Sequence, residues 1–221
     1  MNYDLAFGRK TCYFFYQMRN KKGTVSVTSK ILSRIKRKGQ GTIHTSKDFL
    51  DLGSRVAVDH ALSHLARKGH IRRLSRGVYD YPKVNPRLGT LTPSPDAVAK
   101  ALAKKTRSDL QVSGAHAANQ LGLSTQVPAR VVYLTDGRSK RVRVGRQTIE
   151  LRRTSPKNMA TAGKPSGTVI QALRHVGRDN VNDEIIDKIK TALSDGDRAA
   201  LKKDVDSAPD WMRPILTRLA S

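Results

Sequence analysis

The stretch Thr45-Ser46-Lys47-Asp48-Phe49-Leu50-Asp51-Leu52-Gly53-Ser54-Arg55 runs on through Val58, Asp59, His60, Ala61, Leu62, Ser63, His64, Leu65 and Arg67 to Gly69. Thr45 or Ser46 can cap a second short helix of the chain, with Asp48 near the third position as a shorter analogue of the capping-box acid. Phe49 and Leu52 face inward, and Gly53 closes the turn. Ser54 caps a third, longer helix that runs to Lys68 and stops at Gly69. On a helical wheel Val58, Ala61, Leu62 and Leu65 share one face. Val56, His60, Ser63 and Arg67 lie opposite, flanked by Asp59 and His64. Two turns of helix, a glycine and a longer helix make a helix-turn-helix.

Outward from this stretch, Val27, Ile31, Leu32 and Ile35 mark a first helix from about Val27 to Lys38, ended by Gly39-Gln40-Gly41. Thr42-Ile43-His44 is short and extended. After Gly69, the segments His70 to Leu74 and Val78 to Tyr81 flank Ser75-Arg76-Gly77, a hairpin with glycine where φ must be positive. Pro82 and Pro86 end the unit. A helix-turn-helix followed by a basic hairpin is a winged helix. Leu91 to Pro95 then reads as a linker.

The following residues suggest a small α+β unit. A helix runs from about Asp96 to Lys105, and a short small-residue helix lies within Ser113 to Leu123. Val131 to Leu134 is a buried strand, and Arg141 to Leu151 alternates as one strand with a wet face. Gly163 through Gly167 reads as a hinge. Four helices follow, at about Thr168 to Val176, Val181 to Leu193, Asp197 to Asp206 and Pro209 to Leu219. The expected class is α+β, mainly helical. Its expected organisation is an N-terminal extension over 1–23, a winged helix-turn-helix over 24–89, a basic α+β domain over 90–164 and a C-terminal helical segment over 165–221. Residues 1–17 read as an extension or an upstream start, with Met18 just before the first helical pattern.

Among the 221 residues, 42 Lys and Arg face 18 Asp and Glu, a formal net charge of +24. The excess is uneven: +14 over residues 1–89, +10 over 90–164 and zero over 165–221. Basic charge on segments with apolar periodicity points to a polyanion partner, with a structural or partner role for the neutral end. Apolar runs reach about four residues, too short for a membrane span. Tyr13-Phe14-Phe15-Tyr16 is too short for a secretory signal. The single cysteine, Cys12, excludes a disulfide framework or a cysteine-rich zinc site. The expected location is the cytoplasm.

The third helix presents short, polar or basic side chains: Ser54, Arg55, Asp59, His60, Ser63 and Arg67. A major groove admits a helix, and such groups reach base edges. Arg55 suits bidentate contact to guanine, and Asp59 suits cytosine or the orientation of Arg55. Thr45, Ser46 and Lys47 are placed to hold a phosphate. Arg72, Arg73 and Arg76 on the wing suit the backbone or an adjacent minor groove. Catalytic patterns are weak. His60 and His64 lack the glutamate of a zinc protease motif. Asp136 and Glu150-Leu151-Arg152 have arginine where a nuclease needs a proton-losing lysine. Gly163-Lys164 lacks the rest of a phosphate loop, and Ser113 and Ser124 have no evident base. No enzyme activity, cofactor or metal is expected.

The stretch Ser26 to Pro82, with Thr45 to Arg55 and Ala66-Arg67-Lys68-Gly69-His70-Ile71-Arg72-Arg73-Leu74-Ser75-Arg76-Gly77-Val78-Tyr79-Asp80-Tyr81-Pro82, resembles the N-terminal winged helix of AbiEi-type antitoxins of bacterial abortive-infection systems. Ser113 to Gly137, with Leu121-Gly122-Leu123-Ser124-Thr125-Gln126-Val127-Pro128, resembles the second domain of that group. The likeness spans about residues 24–160. It implies a repressor of its own operon that binds inverted repeats in the promoter. It also implies the antitoxin of a type IV pair, countering a nucleotidyltransferase-like toxin without a stable complex. Ser54, Arg55 and Asp59 with the wing arginines would be the DNA contacts. The rival expectation is an RNA-binding, translation-associated protein using Arg138, Lys140, Arg141, Arg143, Arg146, Arg152 and Arg153.

Overall fold

Side chains that accept orphan N–H groups start the helices of the N-terminal third. Ser26 Oγ accepts the N–H of Ser29 at 3.2 Å and opens α1, Val27–Lys38. Lys36, Arg37 and Lys38 stand at the negative end of its dipole, and Gly39 ends it with φ +87°. A computed structural model describes residues 26–126 and 128–221. The expected extension over 1–23 lies outside the described residues.

Strand β1, Ile43–Thr45, follows. The second helix is shorter than expected: Ser46–Phe49 is one 3-10 turn. Its capping box forms, because Asp48 Oδ2 accepts the Thr45 N–H at 2.7 Å and the Thr45 hydroxyl at 3.0 Å. Ser54 Oγ accepts the Ala57 N–H at 3.3 Å and opens α2, Arg55–Arg67. Strands β2, Arg72–Ser75, and β3, Val78–Asp80, form the expected hairpin around Gly77 at φ +68°. The sheet order is β1-β3-β2, all antiparallel. A second hairpin follows where only prolines marking an end were expected. It consists of β4, Val84–Asn85, and β5, Gly89–Thr90.

Helix α3, Pro95–Thr106, precedes β6, Leu110–Val112, and the short α4, Gly114–Gln120. Strand β7 is Arg130–Thr135. The single alternating strand expected over Arg141 to Leu151 is instead a hairpin of β8, Lys140–Val144, and β9, Gln147–Arg153. Gly145, at φ +59°, and Arg146 form a two-residue turn between Val144 and its partner Gln147. Strands β7 and β9 run parallel, giving the order β6-β7-β9-β8.

After the short α5, Pro156–Met159, helix α6 spans Pro165–Val176, beginning before the expected Thr168. The last three residues of the expected hinge, 165–167, thus belong to the helix. Pro165 occupies the first turn, where its missing N–H costs nothing. Gly167 lies inside the helix against the Gln111 side chain and the Thr161 carbonyl, with no room for a Cβ. Helices α7, Asp183–Ala192, α8, Asp195–Asp204, and α9, Arg213–Ala220, complete the chain. The fold is α+β and mainly helical.

Three cores hold it. Ile31, Ile35, Phe49, Val58, Leu62, Leu65, Ile71 and Tyr79 form the first. The second joins α3 to the four-stranded sheet through Val98, Leu102, Val131, Val142, Ile149 and Leu151, and it includes Val78 from β3. Ala117, Ala118 and Leu121 of the α4 region belong to the third core, with Val169, Leu173, Ile189, Leu201, Leu216 and Leu219. Strand β3 alternates as a strand must: Val78 enters one core and Tyr79 the other. The expected boundaries at 89 and 164 thus cross shared cores.

Candidate nucleic-acid interface

Helix α2 buries Val58, Ala61, Leu62 and Leu65 and leaves its opposite edge outward. Arg55, His60 and Arg67 are exposed there, and Ser63 is half-buried. His60, Ser63 and Arg67 line a cleft of about 890 Å³ with Arg72 and Arg73 of β2, Pro82 and Thr90 of β5. The structure thus brings the outer edge of the helix and the base of both hairpins to one concavity.

The expected contact residues do not all remain available. Thr45 and Ser46 are 1% and 2% exposed, so only the exposed Lys47 can meet a phosphate at that turn. Ser54 serves as the helix cap. Arg55 Nε donates to Asp59 Oδ2 at 2.8 Å, so the two side chains are paired across one turn of the helix. Arg72 is committed to structure. Its guanidinium donates to Asp80 Oδ1 and Oδ2 at 3.1 and 2.6 Å and to the Leu91 carbonyl at 3.1 Å. The bidentate pair compensates the burial of Asp80. Arg73 and Arg76 stay exposed.

The wing is not a free-standing finger. Leu74 packs against the second core, Lys105 of α3 donates to the Arg76 carbonyl, and Lys140 Nζ lies 3.5 Å from Ser75 Oγ. Burial pushes the Lys105 ammonium down from its ordinary pKa, and Lys140, Arg55 and Arg76 add to the effect. Four cations therefore stand near the wing turn, two of them from the central region. Helical and strand periodicity gave no sign that Lys105 and Lys140 stand at this turn, because their position depends on docking between segments.

Sequence reasoning placed Val56 on the outer face but not among the contacts, although it is 66% exposed there and is an apolar candidate for contact with a thymine methyl. It missed the β4–β5 hairpin because two-residue strands carry no periodicity. Asn85 and Gly89, flanking Pro86-Arg87-Leu88, are its one local signal.

A second basic surface lies on the four-stranded sheet. Arg130, Arg141, Arg143, Arg146 and Thr148 line a cleft of about 310 Å³. Glu150 accepts from Arg130, Arg152 and Arg141 at 2.9, 3.1 and 3.3 Å. Partial burial pushes the Glu150 carboxyl up, but these three arginines outweigh it and hold it below the usual carboxylate range. Asp136 accepts the backbone N–H of Asp109 at 2.8 Å. Among the described residues no group of three or more His, Cys, Asp or Glu is placed to hold a metal, and no helix is long and apolar enough to cross a membrane.

A family model described as a family of unknown function, DUF6088, matches residues 30–201. Among solved structures, the crystal structure of the RV2827C protein from Mycobacterium tuberculosis is similar at 15% identity. The match covers 87% of this chain and 81% of that one, with a TM-score of 0.43. No curated protein matches the chain.

Proposed function

The chain belongs to the DUF6088 family of unknown function, and for it we propose sequence-selective binding of duplex DNA by a cytoplasmic transcriptional repressor. One observation carries the reading: the outward edge of α2, with His60, Ser63 and Arg67, faces the same cleft as Arg73 of the wing. A helix of this width enters a major groove, and its short polar and basic groups reach base edges. The basic excess over residues 1–164 supplies the sequence-independent attraction. Arg55, held by Asp59, reads a base, while Lys47 and Arg76 meet phosphates. Autoregulation through inverted repeats and antitoxin action against a nucleotidyltransferase-like toxin, without a stable complex, extend this proposal and rest on the AbiEi likeness alone.

Titration of promoter fragments with the full chain tests it. Arg55→Ala is expected to cost roughly 1–3 kcal/mol on the preferred duplex and to relax its sequence preference. Arg76→Ala is expected to weaken all duplexes alike and flatten the salt slope by about one. Equal loss for Arg55→Ala on preferred and scrambled duplexes contradicts the base-reading role. The second reading, binding of structured RNA, is favoured by the arginine-lined cleft of the sheet. Winning competition by structured RNA over a promoter duplex would select it.

A further inference from the structure

The tip of the first hairpin is docked against Lys105 and Lys140, as described above, so it does not project freely. The second hairpin is built differently. Val84 pairs with Thr90 and Asn85 with Gly89, leaving Pro86-Arg87-Leu88 as the tip. Asn85 Oδ1 accepts the N–H groups of Arg87 and Leu88 at 2.8 and 3.0 Å, and Gly89 at φ +70° reverses the chain. These bonds brace the turn from within. Leu88 is 76% exposed, and Val84 of β4 is 56% exposed.

A lone exposed leucine is ordinary. This one stands beside the exposed Arg87, on a hydrogen-bonded turn whose base residue, Thr90, lines the cleft with His60, Ser63 and Arg67. The base of the second hairpin therefore borders the surface assigned to duplex binding. We propose that the Arg87-Leu88 tip is a minor-groove wedge: Leu88 enters a base step flanking the segment read by α2, and Arg87 lies along the groove. An apolar side chain partly unstacks a step, and the cation compensates the negative potential of a narrow groove. The occupant is DNA rather than a second copy of the chain, because Lys83 and Arg87 would set two such tips in repulsion. The inference rests on the duplex-binding reading above.

The probe is the duplex that the full chain itself selects from a random-sequence pool, with 2-aminopurine placed at successive flanking steps. Wild-type protein is expected to raise the fluorescence at one flanking step. Leu88→Ser is expected to abolish that rise and weaken binding about tenfold, since a buried leucine loses its apolar contact. Arg87→Ala is expected to weaken binding and flatten the salt slope by about one while leaving the sequence preference intact. A selected duplex that binds wild type and Leu88→Ser equally, with no fluorescence rise, overturns the wedge and leaves the function of α2 standing. A change in sedimentation of Leu88→Ser with unaltered DNA binding also overturns it, and assigns the tip to self-association. Failure of wild type to select any duplex overturns the parent reading and the wedge together.

Discussion

The His44 imidazole lies in the interior beside the Phe49 ring, 5.6 Å between centroids, with Nε2 2.9 Å from Thr42 Oγ1. Burial, reinforced by the charge of Lys38, pushes its pKa down to about 4. The unfolded chain takes up this proton near pH 6.5, so acid favours unfolding between 6.5 and 4. We expect roughly 2 kcal/mol less stability at pH 5 than at pH 7 from this group. Urea unfolding at the two pH values, repeated with His44→Gln, measures it, and an undiminished difference in the variant removes His44 as the cause. Arg72 carries a different lesson at the same scale. Sequence alone places Arg72, Arg73 and Arg76 together as cations of one basic hairpin. Only the fold shows Arg72 spent on the buried Asp80 and Arg73 left exposed.

Helix α6 depends on the absence of one side chain. A Cβ on Gly167 would strike the Thr161 carbonyl and the Gln111 amide, and a backbone oxygen inside a turn has little room to yield. Gly167→Ala is expected to lose about 2–3 kcal/mol although alanine is the better helix former. Chemical denaturation checks this, and a neutral or stabilising effect would mean that α6 can shift away from β6. This element also shows what was legible. Helices α1 and α2 could be read because their apolar stripes, caps and terminal glycines agree. The β8–β9 turn was hidden because alternation continues on both sides of Gly145-Arg146, and the start of α6 because Gly163 and Gly167 mimic a hinge. At the candidate site, sequence located the outer edge of α2. It could not show that Thr45 and Ser46 sink into the core or that Lys105 reaches the wing, since both depend on packing over long sequence separations.

Across the whole molecule, the segments with and without excess charge share cores. Val78 belongs to the β2–β3 hairpin yet packs with α3 and the central sheet, and α4 packs with the C-terminal helices. Trp211, the single tryptophan, lies against the C-terminal core. We expect its fluorescence and the backbone circular dichroism to trace one coincident urea transition, because the second core takes in Val78 of the first hairpin and the third takes in α4. Two separated transitions would show the cores to be independent. The same coupling sets the wing turn between α2 and the central lysines, so the DNA-binding reading concerns the full chain rather than its first 89 residues. Its most direct test is competition between a preferred promoter fragment and a scrambled duplex of equal length for the full-length protein, across a salt series. Tighter binding of the promoter at every salt, with both affinities falling linearly on logarithmic axes, is the predicted result. Equal binding of the two duplexes, or binding of neither at modest ionic strength, would contradict the account.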